Sequence, residues 1–258
     1  MKKHLLCIAA AAAVALVFCS GASAKPGRTV LTLMERVETH SDVVDPTPLH
    51  NVGSDTFVYS LLSAFRKLDT GVYGNLYYLN KYSIDDRTSA AHIFGVDVMA
   101  DLTGKWKYDI GYSHNVSPKI NAFPFNDTDR FNMDMTFKVN PNEKAAKKWE
   151  LKTSYNTGTD FSQGRTLSGK ISASDKITKN TTYNASYQFV WGLSKTTNAA
   201  GICSICREQY ANQYALDLTH KMSKTNRIQL GFLFLKNLYN GAQGDDMIYR
   251  LTWFHTIR

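Results

Sequence analysis

The sequence predicts an all-β fold, a single closed antiparallel transmembrane β-barrel of about twelve strands, and three observations predict it. Apolar and polar residues alternate along segment after segment, the period of a strand and not of a helix. Each segment runs for about ten residues, the length of a tilted membrane crossing, where soluble strands average about five or six. Short turns alternate with longer connections along the chain, the asymmetry of membrane barrels.

The clearest segment is Arg130–Asn140. Phe131, Met133, Met135, Phe137 and Val139 fall on one face, and Arg130, Asn132, Asp134, Thr136, Lys138 and Asn140 on the other. Its neighbours repeat the pattern. Trp106, Tyr108, Ile110 and Tyr112 alternate with Lys107, Asp109, Gly111 and Ser113. Trp149, Leu151, Thr153 and Tyr155 alternate with Lys148, Glu150, Lys152 and Ser154. Tyr249, Leu251, Trp253 and Ile257 alternate with Arg250, Thr252 and Thr256, while His255 adds a polar group to the apolar set.

In chain order the expected strands are Thr29–Thr39, Thr56–Leu68, Val72–Ser83, Ala90–Leu102, Trp106–His114 and Arg130–Asn140. They continue with Lys148–Asn156, Thr166–Ser174, Thr181–Leu193, Gln209–Met222, Arg227–Leu238 and Asp246–Arg258. Segments 68–71, 102–105, 175–181 and 223–226 are short turns, and 140–147 is somewhat longer. Most of the alternate set, at 40–55, 84–89, 114–129, 157–165, 194–208 and 239–245, are longer. Aromatic residues near strand ends, Phe57, Trp106, Tyr112, Trp149, Tyr155, Tyr183, Trp191, Tyr210 and Trp253, suit the two headgroup levels.

The N-terminus reads as a cleaved signal peptide over residues 1–24. Lys2 and Lys3 precede an apolar run from Leu5 to Phe18, and Ala22-Ser23-Ala24 supplies the small residues of a cleavage site. Cys19 as a lipidation site is disfavoured by Phe18 directly before it. Cleavage leaves residues 25–258 as one barrel domain and lowers the formal charge of +8 by two. No later stretch approaches the ~20 apolar residues of a membrane helix. The basic residues are dispersed, which argues against nucleic acid as a partner. Membrane lipid is the first partner expected, because an unpaired backbone group has no partner in hydrocarbon and the sheet must close.

Only Cys203 and Cys206 remain in the mature chain, and a small local disulfide is the simplest reading in an exported protein. Arg207 stands where haem attachment needs histidine. No cofactor or metal is expected. Ser113 and His114 are adjacent and so point to opposite faces, and His40, His50, His92, His220 and His255 lack ligand spacing. Catalysis is therefore not expected.

The polar face supplies the candidate pore-lining residues: Lys107, Asp109, Arg130, Asp134, Lys138, Lys148, Glu150, Lys152 and Arg250, in a wider inward set that includes Arg36, Arg66, Lys170, Lys221, Arg227, Glu38, Asp97, Asp101 and Asp217. Rings of charge inside a pore select solutes through their field, and the basic excess implies a slight anion preference. The expected function is passive diffusion of small hydrophilic solutes. The alternative is a non-conducting barrel whose salt-bridged lumen holds the wall, with its loops presented to a partner. The loop 114–129, with Phe123, Phe125, Pro118 and Pro124, is long enough to fold inward or to pack on the rim.

Together the signal peptide, the strands, the aromatic residues and the loop asymmetry resemble Gram-negative outer-membrane β-barrel proteins across the mature chain. The resemblance implies the bacterial outer membrane as location, the barrel-assembly machinery as partner and the short turns as periplasmic. In the C-terminal strand Tyr249, Leu251 and Trp253 match the expected aromatic signal, and Arg258 departs from it. Size and strand number resemble the small twelve-stranded porins for acidic oligosaccharides.

Overall fold

In a computed structural model of the chain the described residues are 27, 29–40, 56–84, 87–116, 128–139, 148–158, 165–193, 196–197, 203–205, 209–237 and 246–257. The signal peptide, the loop segment 117–127 and Cys206 lie outside them. The described chain forms β1 (Val30–His40), β2 (Thr56–Asp69), β3 (Val72–Ser83), β4 (Thr88–Asp101), β5 (Trp106–Val116), β6 (Thr128–Lys138) and β7 (Lys148–Gly158). It continues with β8 (Thr166–Lys176), β9 (Thr181–Gly192), β10 (Thr196–Thr197), β11 (Cys203–Ile205), β12 (Gln209–Lys221), β13 (Asn226–Asn237) and β14 (Asp246–Ile257).

Twelve of these close into one antiparallel barrel in chain order, and β1 pairs with β14 from Leu31↔Ile257 to His40↔Ile248. Closure gives every strand two hydrogen-bonded neighbours, so no edge remains. Two features depart from the expected element list. The 194–208 connection carries its own two-stranded ribbon, β10 with β11, and the ends of several strands move by one or two residues.

Alternation along each strand becomes an inside and an outside. One cross-barrel row reads Val98↔Ile110↔Met133↔Tyr155. Val98, Ile110 and Met133 are each more than 40% exposed. The next row reads Asp109↔Asp134↔Ser154 and points the other way. The outer face is thus a band of exposed Leu, Ile, Val, Phe, Tyr and Trp side chains. A surface of that size is stable against hydrocarbon and not against water. Few hydrophobic side chains are fully buried, because a barrel of this width has a polar lumen in place of an apolar core.

The short turns depend on local chemistry. In the β2–β3 turn Gly71 has φ 74°, accepts the amide of Asp101 on β4 at 2.7 Å, and would place a Cβ 2.8 Å from the Asp101 carbonyl oxygen. Gly104 in the β4–β5 turn has φ 70° with open space around it. Gly71→Ala should therefore destabilise by about 1–2 kcal/mol plus the cost of displacing β4, and Gly104→Ala by the conformational cost alone. Urea unfolding of both variants in vesicles checks the order.

Candidate functional site: the barrel lumen

The inward faces of β5 to β8 bring the candidate residues into one polar wall. Lys107 lies opposite Thr136, Asp109 opposite Asp134, and Arg130 opposite Ser113. Lys138 lies opposite Glu150, and Thr136 opposite Lys152. Lys152 in turn lies opposite Lys170 on β8, and Lys148 opposite Ser174. Like charges thus face each other twice, at Asp109↔Asp134 and Lys152↔Lys170, which a dry sheet would not tolerate.

Ion pairs relieve part of this. Lys152 Nζ meets Asp134 Oδ2 at 2.5 Å, and Lys138 Nζ meets Asp101 Oδ1 at 3.3 Å. Lys107, Lys148 and Lys170 make no ion pair within 4.0 Å with another described residue. Asp109 keeps one carboxylate oxygen buried without a hydrogen-bond partner among the described residues.

Arg250 is placed differently, on the wall formed by β12 to β14 and β1. Its guanidinium donates to Asp217 Oδ1 at 3.1 Å across the strand between them. That strand contributes Gly231, opposite both residues, whose missing side chain leaves the space where they meet. A Cβ there would sit 2.5 Å from Asp217 Oδ1 and 3.0 Å from Arg250 Nε. Gly231→Val should separate the pair and destabilise the barrel by about 1–3 kcal/mol, measured as a lower urea midpoint. Asp217→Asn should cost less, because an amide oxygen still accepts. Beside this pair, Arg36 donates to Thr252 at 3.1 Å, and Glu38 accepts from Tyr59 at 3.1 Å.

The sector from β1 to β4 carries an apolar and aromatic patch on its inner face, among charged groups such as Arg36, Glu38, Lys81 and Asp97, a feature absent from the sequence expectations. Met34, Tyr59, Leu61, Tyr77, Leu79 and Ile93 lie there by register. The Tyr77 ring lies over Gly95, where any Cβ would collide with it. Ser63 donates to Asn75 at 2.6 Å, and Asn75 donates to Asp97 at 3.1 Å, so this wall is tied by side chains as well as by backbone. The signal was available in the alternation of β3, whose two faces both carry tyrosines.

Two residues change sides relative to expectation. Phe57, expected in an outer aromatic belt, points inward. It lies opposite Glu38, meets His40 edge-on at 5.7 Å and carries Lys81 Nζ 3.6 Å above its ring. Arg66, expected inside, lies on the outer face, in register with Gly74 beside the Ala64↔Leu76 pair. At the short-turn end of β2 its long stem lets the guanidinium reach the interface. The physical reason is one of parity: β2 carries apolar groups on both faces, so its pattern does not declare which is outside.

No family model matches the chain, and no curated protein matches it. Solved structures do. The COG4313 outer membrane channel from Pseudomonas putida F1 superposes with a TM-score of 0.59 at 11% identity, over 91% of this chain and 97% of that one. The KdgM porin, in complex with disordered oligogalacturonate, gives 0.53 at 12% over 88% and 99%. The NanC porin gives 0.53 at 11% over 86% and 98%. At such identities the likeness is one of fold, and the fold of this chain is that of the twelve-stranded barrels of the bacterial outer membrane.

Proposed function

We propose that this protein is an outer-membrane channel for passive diffusion of small hydrophilic solutes, with a slight preference for anions. The observation that carries the reading is the inner wall of β5 to β8. Its basic groups outnumber its acidic ones, and Lys107, Lys148 and Lys170 have no carboxylate within ion-pair distance among the described residues. Unpaired ammonium groups along a narrow, water-filled passage attract anions. Asp97 and Asp109 on the same inner face offset part of that field, which keeps the preference slight. The proteins of similar fold include channels and porins, which supports a conducting barrel in general and no particular solute.

The lumen also contains wall-spanning ion pairs, Lys152–Asp134, Lys138–Asp101 and Arg250–Asp217. These favour the second reading, a non-conducting barrel that anchors or presents its loops. Single-channel recording in a planar bilayer separates the two. The channel reading expects discrete conductance steps and a reversal potential on the anion side in a salt gradient. Silence of the purified, folded protein defeats it and leaves the anchor.

A further inference from the structure

The outer face should be apolar, and over most of the barrel it is. Toward the strand ends polar groups such as Arg66 and the Asn212↔Lys236 pair also point outward, but one row breaks the rule in mid-strand. Glu35 lies opposite Ser60, Ser60 opposite Asn80, and Asn80 opposite His92. This row continues from Trp253, which is 38% exposed on the outer face, so all four side chains point away from the lumen. Glu35 stands at the centre of β1, five residues from either end. Among the described residues it is the one outward carboxyl away from a strand end. It is exposed and accepts from Ser60 Oγ at 2.7 Å, and no cation lies within ion-pair distance among the described residues. Tyr78 Oη lies 2.8 Å from His92 Nδ1 and Ser60 serves Glu35, so the group of this row that hydrocarbon cannot solvate is the Glu35 carboxylate.

A second observation falls at the same place. Tyrosine, tryptophan or phenylalanine projects outward from β14, β3, β4, β5, β6, β7, β9, β12 and β13. The outer faces of β1 and β2 carry none: Leu31, Leu33, Glu35, Val37 and Thr39 on one strand, Thr56, Val58, Ser60, Leu62, Ala64 and Arg66 on the other. On β8, the other strand without an outward ring, Phe189 of β9 lies across Gly169. Aromatic side chains mark where a barrel meets the headgroups, so their absence over two adjacent strands, together with a polar row, marks a face that meets protein.

We propose that this face, centred on β1 and β2, is the interface between two copies of the chain in the membrane. Two copies inserted in the same direction are related by a two-fold axis parallel to the barrel axis, and such an interface must complement itself. The row does so. With the axis at Ser60, the column of Asn80 in each copy comes opposite the column of Glu35 in the other, about 6 Å apart in height because the row tilts with the strands, so that carboxamide and carboxylate flank the axis and reach toward each other. Ser60, both donor and acceptor, meets its own equivalent. The outer faces of β14, β1, β2 and β3 together cover about 500 Å² in flat projection, from strand spacing and an apolar band about 25 Å tall. Over both partners that is about 1,000 Å², the low end of specific interfaces.

The test is cross-linking in native membranes of the full chain, with Cys203→Ser and Cys206→Ser as background. Ser60→Cys lies at the proposed axis, and Leu167→Cys lies on β8 across the barrel, on an outer face that is 42% exposed. Under mild oxidation most of the Ser60→Cys protein should migrate as a covalent dimer and the Leu167→Cys protein as a monomer. Adding Glu35→Leu should lower the dimer yield several-fold while heat-modifiable migration shows the barrel still folded. If Ser60→Cys fails to fold, Val58→Cys and Leu62→Cys on the same face serve in its place. A monomer at all three positions, equal yields at Leu167→Cys, or an adduct whose mass is not twice the chain overturns the proposal.

Discussion

Met133→Arg should destabilise the barrel by about 2–4 kcal/mol, the largest single-residue cost expected outside the turns. Met133 is half-exposed at the centre of β6, flanked by Ile110 and Tyr155 on the outer face. A guanidinium there has only hydrocarbon around it, and mid-strand it is too far from either headgroup level to reach water cheaply. Thr136→Arg, three residues along and on the inner face between Lys107 and Lys152, places the same group in a hydrated lumen. It should cost well under half as much, from repulsion by the two lysines. The measurement is the urea midpoint of unfolding from vesicles, followed by tryptophan fluorescence. Equal costs at the two positions would show that both faces meet water, which is a soluble β-protein and not a membrane barrel.

The second large effect concerns selectivity. Replacing Lys138 and Lys152 together with glutamine should lower the anion-to-cation permeability ratio several-fold and reverse the sign of the preference. The structure makes the expected change larger than the loss of two charges suggests. Lys152 neutralises Asp134 and Lys138 neutralises Asp101, so removing the ammonium groups also exposes two carboxylates to the passage. Lys170→Gln, which removes an ammonium without an ion-pair partner, should shift the ratio less and in the same direction. Both shifts should shrink from low salt to high, as the screening length falls from about 30 Å at 0.01 M to about 3 Å at 1 M. Reversal potentials across a salt gradient read both variants. A ratio that does not move on the double substitution would mean that these side chains do not line the conducting path.

The lysine and aspartate parity of β5, β6 and β7 was legible because one face of each of these strands is apolar and the other charged. Lys107, Asp109, Arg130, Asp134, Lys138, Lys148, Glu150 and Lys152 are therefore assigned to one surface by the sequence alone. Phe57 and Arg66 could not be placed in this way. Their strand is apolar on both faces, so period two carries no sign there. Lys152–Asp134 and Arg250–Asp217 were equally hidden, since each joins residues on different strands and depends on register.

What the sequence determined by itself is the set of local properties: strand periodicity, strand length, turn chemistry and, with them, a closed sheet of twelve crossings. Each of these is written in neighbouring residues, and a barrel has few other ways to satisfy its backbone in a membrane. Tertiary structure alone decided which strands became neighbours of which wall. It set the aromatic patch of β1 to β4 beside the basic wall of β5 to β8, used Gly231 to let an ion pair pass over a strand, and aligned Glu35, Ser60, Asn80 and His92 into one row although 57 positions separate the first from the last. Cross-strand register is a long-range property fixed by closure and shear, and no local pattern encodes it.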